Sequence, residues 1–173
     1  MRIFGFIWGI TGVIVILLFA IYRISPMVAE MQIASFGFLH WAALLLFAVY
    51  MAYAEGYKGF HLGFAPRVVQ RAAYLRQHSH PLLAILAPLF CMGYFHATRR
   101  RVITSFAVTL AIILLVVIVS QIPQPWRGIV DFGVVTGLLI GIGSILLFTI
   151  RIMGNPDAIN LSADLPDQHE SVV

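Results

Sequence analysis

Charge is scarce in this chain. Only 10% of its 173 residues are Asp, Glu, Lys or Arg, whereas 61% are hydrophobic and the mean hydropathy is +0.95. A soluble domain of this size is usually about one-quarter charged. Apolar surface on this scale cannot be buried in one core of 19.2 kDa, which excludes a soluble enzyme, a disordered chain and a fibre. Cysteine is almost absent: Cys91 stands alone, so no intrachain disulfide can form and the redox compartment stays open. Reaction signatures are absent as well. There is no HExxH, Gly-rich phosphate loop, GxSxG or carboxylate-rich helix motif, so metal-dependent, ATP-driven and serine-nucleophile chemistry has no support. A non-enzymatic protein is expected, with no resident cofactor. The bases lack a groove-reading module, so nucleic acid is not an expected partner.

What the chain does have is long apolar runs. A hydrocarbon core about 30 Å thick needs roughly 20 apolar helical residues to cross it. Four segments meet that length: 3–22, 36–54, 102–122 and 129–150. A fifth, 81–97, is 17 residues long and carries Pro88. The expected fold is therefore an all-α, polytopic transmembrane bundle with four spans and one short or re-entrant helix. The first span exceeds the usual 7–15-residue core of a signal peptide and ends at Tyr22-Arg23 without a small-x-small cleavage pattern, so it reads as a retained helix.

The cations arbitrate the fifth segment, because Lys and Arg collect on the cytoplasmic side. With five crossings and the N-terminus inside, six of the eleven bases lie inside and five outside. With 81–97 not crossing, nine lie inside and only Arg23 and Arg127 outside. The sequence thus predicts four crossings in a plasma membrane (the inner membrane, for a bacterial chain), with both termini cytoplasmic. The connection 55–80 becomes a basic cytoplasmic segment. Gly56, Gly59 and Gly63 would allow sharp turns there, and Pro66 would open a short helix to about Gln77. In that helix Val68, Ala72 and Leu75 recur on one face and Arg67 and Arg71 on another, as in an element lying on a membrane surface. Lys58, Arg67, Arg71, Arg76, Arg99, Arg100 and Arg101 are the candidate contacts to anionic lipid headgroups. Residues 154–173 carry Asp157, Asp164, Asp167 and Glu170 and no base, an acidic tail of charge −4.

Candidate site residues follow from what is costly in lipid. Gly133, Gly137 and Gly141, with Ser144 near the same stripe, line one face of the last helix; Gly5 and Gly9 make a weaker stripe in the first. Small residues four apart permit close backbone approach where the apolar driving force between helices is missing. The stripe predicts a tight contact within the chain or with a second protomer, and the two stripes could meet each other. Asp131 lies one turn after Arg127, where an i,i+4 ion pair at a helix start is favourable. Glu55, next to Lys58, is expected at the cytoplasmic surface; Glu55, Asp131, Arg127 and His40 are the candidate polar lining of a pathway. His40 and His96 could clasp a b-type haem or a quinone only if 81–97 crosses. Three functions compete: an oligomeric transport- or channel-type bundle; an accessory subunit docked on a larger membrane complex; and a haem or quinone anchor.

Overall fold

The computed structural model describes residues 2–31, 33, 36–77, 83 and 85–154. The acidic tail beyond Gly154 and residues 78–82 lie outside the described residues. No strand occurs among those described, and four helices are long and apolar enough to cross a membrane. The elements are α1 (Arg2–Ala29), α2 (Phe38–Met51), a π-helical segment (Ala52–Phe64), α3 (Ala65–Gln77), α4 (Ala87–Met92), α5 (Arg99–Val119) and α6 (Trp126–Gly154).

Helix α6 is the central element, packed against α1, α2, the π segment and α3. It runs parallel to α2: the His40 ring meets Trp126 with centroids 5.2 Å apart, Gly133 faces Phe47, and Gly141 faces Phe60. It runs antiparallel to α1, because the Gln124 side-chain amide donates to the Met27 carbonyl (3.0 Å) and Gly128 lies against Met31. The start of α1 and the end of α6 therefore point the same way.

The largest departure from expectation is that the second helix does not end at Ala54. Phe38 to Gln77 is continuous helix, and Gly56, Gly59 and Gly63 lie inside it rather than in turns. Thirteen of its residues form a π-helix, whose i→i+5 bonds widen the turn. The seam on α6 explains why that widening suits this sequence. Phe47, Met51 and Glu55 are four apart and meet α6, but the next seam residue, Phe60, is five further on. Only the wider turn keeps Phe60 on the same face. The π ladder closes where the Ala65 N–H donates to the Phe60 carbonyl, next to Pro66, which has no N–H to continue it. The first helix likewise runs on past Tyr22, through Pro26, to Ala29.

The row Val68, Ala72 and Leu75 is real, but it faces the core rather than a membrane surface. All three are buried, in one cluster with Phe6, Ile10, Val13, Phe90 and Cys91. Within 81–97, α4 is a six-residue helix. It packs on α1: Trp8 Nε1 donates to the Ile85 carbonyl (3.1 Å), Gly9 lies against Ala87 and Cys91, and Gly12 against Pro88.

The glycine stripe of α6 is filled by the chain itself. A Cβ at Gly133 would come within 2.5 Å of the Phe47 ring, and one at Gly141 within 2.6 Å of the Phe60 ring. The two glycine stripes do not meet each other. Gly9 contacts α4, because α1 turns its Phe6–Ile10–Val13–Leu17 face to the core and leaves Gly9 to the short helix. Gly5 is buried. A direct comparison tests the seam. Gly141→Leu should destabilise the protein in detergent by about 1–3 kcal/mol, the usual cost of overpacking. Gly143→Leu, where an added Cβ meets nothing within 4 Å, should leave the thermal midpoint unchanged.

Candidate functional site

The polar groups of α2, the π segment and α6 gather at one seam. Helix α6 has 29 residues, so its middle residue is Ile140, which lies against Gly56. One residue before Gly56 is Glu55, whose carboxylate sits beside Gly137; a Cβ there would be 3.2 Å from Oε2. Glu55 thus lies against the mid-length of a helix about 44 Å long, not against either of its ends. The sequence misplaced it because the apolar run stops at Ala54 while the helix does not. Glu55 is half-buried and makes no ion pair or hydrogen bond among the described residues. The expected pairing with Lys58 or Arg67 is not formed: Lys58 Nζ lies over the Tyr53 ring, 5.1 Å from its centroid. Lys58 is exposed at the same mid-length position, so it is no headgroup contact at the end of the bundle.

Beyond Glu55 the seam becomes hydrogen-bonded. Ser144 Oγ donates to the Ile140 carbonyl at 2.8 Å and lies 3.1 Å from His61 Nδ1. A hydroxyl has one proton. With it committed to Ile140, His61 Nδ1–H must be the donor to Ser144. Nε2 of the neutral ring is then its proton acceptor. The His61 ring stacks on Tyr57 (5.6 Å), Tyr57 on Tyr53 (6.2 Å), and Phe148 closes the other side of His61 (5.1 Å). In the sequence these rings divide between the end of the second span (Tyr53) and the connection 55–80 (Tyr57, His61), so their stacking on one helix is not legible there.

Asp131 and Arg127 pair as expected, with Nε and Oδ2 3.7 Å apart, near the start of α6 and away from Glu55. His40 also lies at that end, with its Nδ1 accepting from the Gly37 N–H at 3.3 Å. His96 belongs to the opposite end. Its carbonyl, with those of Phe90 and Phe95, accepts from the Arg71 guanidinium at 2.7–3.0 Å. Roughly 40 Å of continuous helix separates Arg71 from His40, so His40 and His96 cannot share a haem or a quinone. No group of three or more His, Cys, Asp or Glu among the described residues could hold a metal ion.

Arg71 itself corrects the headgroup assignment. It is 1% exposed, stacked on Phe90 at 4.3 Å, and spends its donors on three backbone carbonyls of the 90–96 turn. That turn needs an outside donor, because Gly93 and His96 have φ of 83° and 48° and the helical ladder is broken there. Arg76, Arg99 and Arg100 are exposed, Arg67 and Arg101 partly so, and Arg101 lies beside Gly93.

The chain matches no known protein family, no characterised protein and no solved structure.

Cys91, 1% exposed beneath Arg71, reports on this anchor. Burial pushes its thiol up to about 12, with the Arg71 charge acting the other way. The folded state holds the proton more tightly than the unfolded chain does. Cys91 therefore contributes full stability below its ordinary value of 9.0, and that contribution is lost as pH rises toward about 12. The native thiol should resist maleimide at neutral pH. Arg71→Ala, which leaves three carbonyls without their donor at a cost on the order of 3 kcal/mol, should make Cys91 label readily.

Proposed function

We propose that this chain is a non-enzymatic, transport-type helical bundle in which Glu55 and His61 pass a proton or a small cation along the seam between the π segment and α6. The observation that carries the reading is Glu55: a half-buried carboxylate against the middle of α6, with no cationic partner among the described residues. An ionisable group at membrane depth is costly and is retained where it works. A π-helix supports the same reading, since such segments concentrate at functional sites. His61, with Nε2 free to accept, lies six residues further along, against Ser144. Ser144 orients it, and the Arg127–Asp131 pair marks the other mouth of the seam.

In this reading the protein crosses a plasma membrane four times with both termini cytoplasmic. The charge distribution supports that arrangement: Arg71, Arg76, Arg99, Arg100, Arg101 and Arg151 share the end of the bundle to which α6 runs. The glycine stripe is occupied within the chain and supplies no reason to assemble protomers.

A second reading rests on α5. From Leu110 to Ile118 it is exposed on every face, and it is held to the rest mainly by Ser105, Thr109 and Val119. A helix so unpacked suits an accessory subunit that docks on a larger membrane complex.

Full-length protein in vesicles loaded with a pH-sensitive dye separates the two. Wild type should dissipate an imposed proton or cation gradient, and Glu55→Gln should reduce the flux at least about tenfold, as loss of a proton-transfer group does. Glu55→Asp should retain part of it. Flux in Glu55→Gln equal to wild type, or no flux in either, would favour the accessory reading.

A further inference from the structure

We infer that the basic end of the bundle, where α3, the 93–98 turn and the first turn of α5 meet, binds an anionic phospholipid whose acyl chains lie along α5. Two independent features converge there. The first is charge. Arg71 bonds to the carbonyls of Phe95 and His96, only a few residues before Arg99, Arg100 and Arg101, and Arg101 packs beside Gly93 of the same turn. Arg76 lies exposed five residues beyond Arg71 on α3. The described carboxylates are all elsewhere: Glu30 follows the far end of α1, Asp131 is near the start of α6, and Glu55 is at its middle. Arg99 and Arg100 are exposed and enter no ion pair among the described residues. Anionic headgroups are the counter-charge that a membrane supplies at this level.

The second feature is apolar. Directly below these arginines α5 presents Ile103, Phe106, Leu110, Ile113 and Val117, each more than half exposed. Hydrogen bonds from Ser105 to the Met92 carbonyl and between Tyr94 and Thr109 tie its upper half to the neighbouring turn. Below Thr109 α5 stands apart from the bundle until Val119. One lipid satisfies both features: phosphate at the guanidinium groups, hydrocarbon against an otherwise uncovered helix. Free inorganic phosphate would satisfy the first alone.

The test is lipid retention by full-length protein extracted from membranes of mixed phosphatidylglycerol and phosphatidylcholine, read by native mass spectrometry. Wild type should retain phosphatidylglycerol preferentially. Neutralising one arginine should weaken that preference about fivefold, and Arg99→Gln with Arg100→Gln should largely abolish it. The double lysine variant should keep it, which separates charge from folding. Arg23→Gln, at the opposite end of α1, should behave as wild type. The inference is overturned if the double glutamine variant retains as much phosphatidylglycerol as wild type, if Arg23→Gln loses as much, or if inorganic phosphate displaces the lipid.

Discussion

The structure depends on one close approach: a glycine groove along α6 that receives Phe47, Met51, Glu55 and Phe60 from the helix beside it. In lipid, burying apolar side chains against each other gains little, since the surrounding tails are equally apolar. Association then rests on van der Waals contact, and that requires the two backbones to come near. Gly133, Gly137 and Gly141 give α6 a face on which two aromatic rings and a carboxylate can lie flat. The partner adapts to the groove by widening into a π-helix, which holds seam residues in line where their spacing shifts from four to five.

That adaptation has a chemical consequence. A regular α-helix ending at Ala54 would have delivered Glu55 to the membrane surface, where it would be an ordinary solvated acid. Continuing the helix instead carries Glu55, Lys58 and His61 along the middle of α6. Lys58 remains on the outer face over Tyr53, while Glu55 and His61 turn toward the seam. The hydroxyl of Ser144, committed to its own helix, then sets the tautomer of His61. The packing seam and the hydrogen-bonded histidine are thus built from the same few residues.

The sequence made the class, the four long apolar helices and the small-residue stripe legible, because hydrocarbon thickness and backbone approach impose strong and local demands. The Arg127–Asp131 pair was equally local and was found. Less legible was everything that depended on where a helix stops. Glu55-Gly56-Tyr57-Lys58-Gly59 reads as a turn by its polarity and its glycines, and nothing within it announces that α6 lies alongside. Arg71 read as a surface cation because its three carbonyl partners belong to a turn some twenty residues away. His61 was overlooked for the same reason, its partner Ser144 being 83 residues distant.

The most direct test concerns depth rather than activity. With Cys91 replaced by Ala, a spin label at Leu62→Cys reports the environment of the outer face of the π segment, one residue from His61. Collisions with dissolved oxygen should dominate there, as for a site within the hydrocarbon. A label at Arg76→Cys should instead collide freely with an aqueous nickel chelate. If Leu62→Cys proves as accessible to the chelate as Arg76→Cys, the helix has left the membrane before residue 62, and Glu55 is not a membrane-embedded acid.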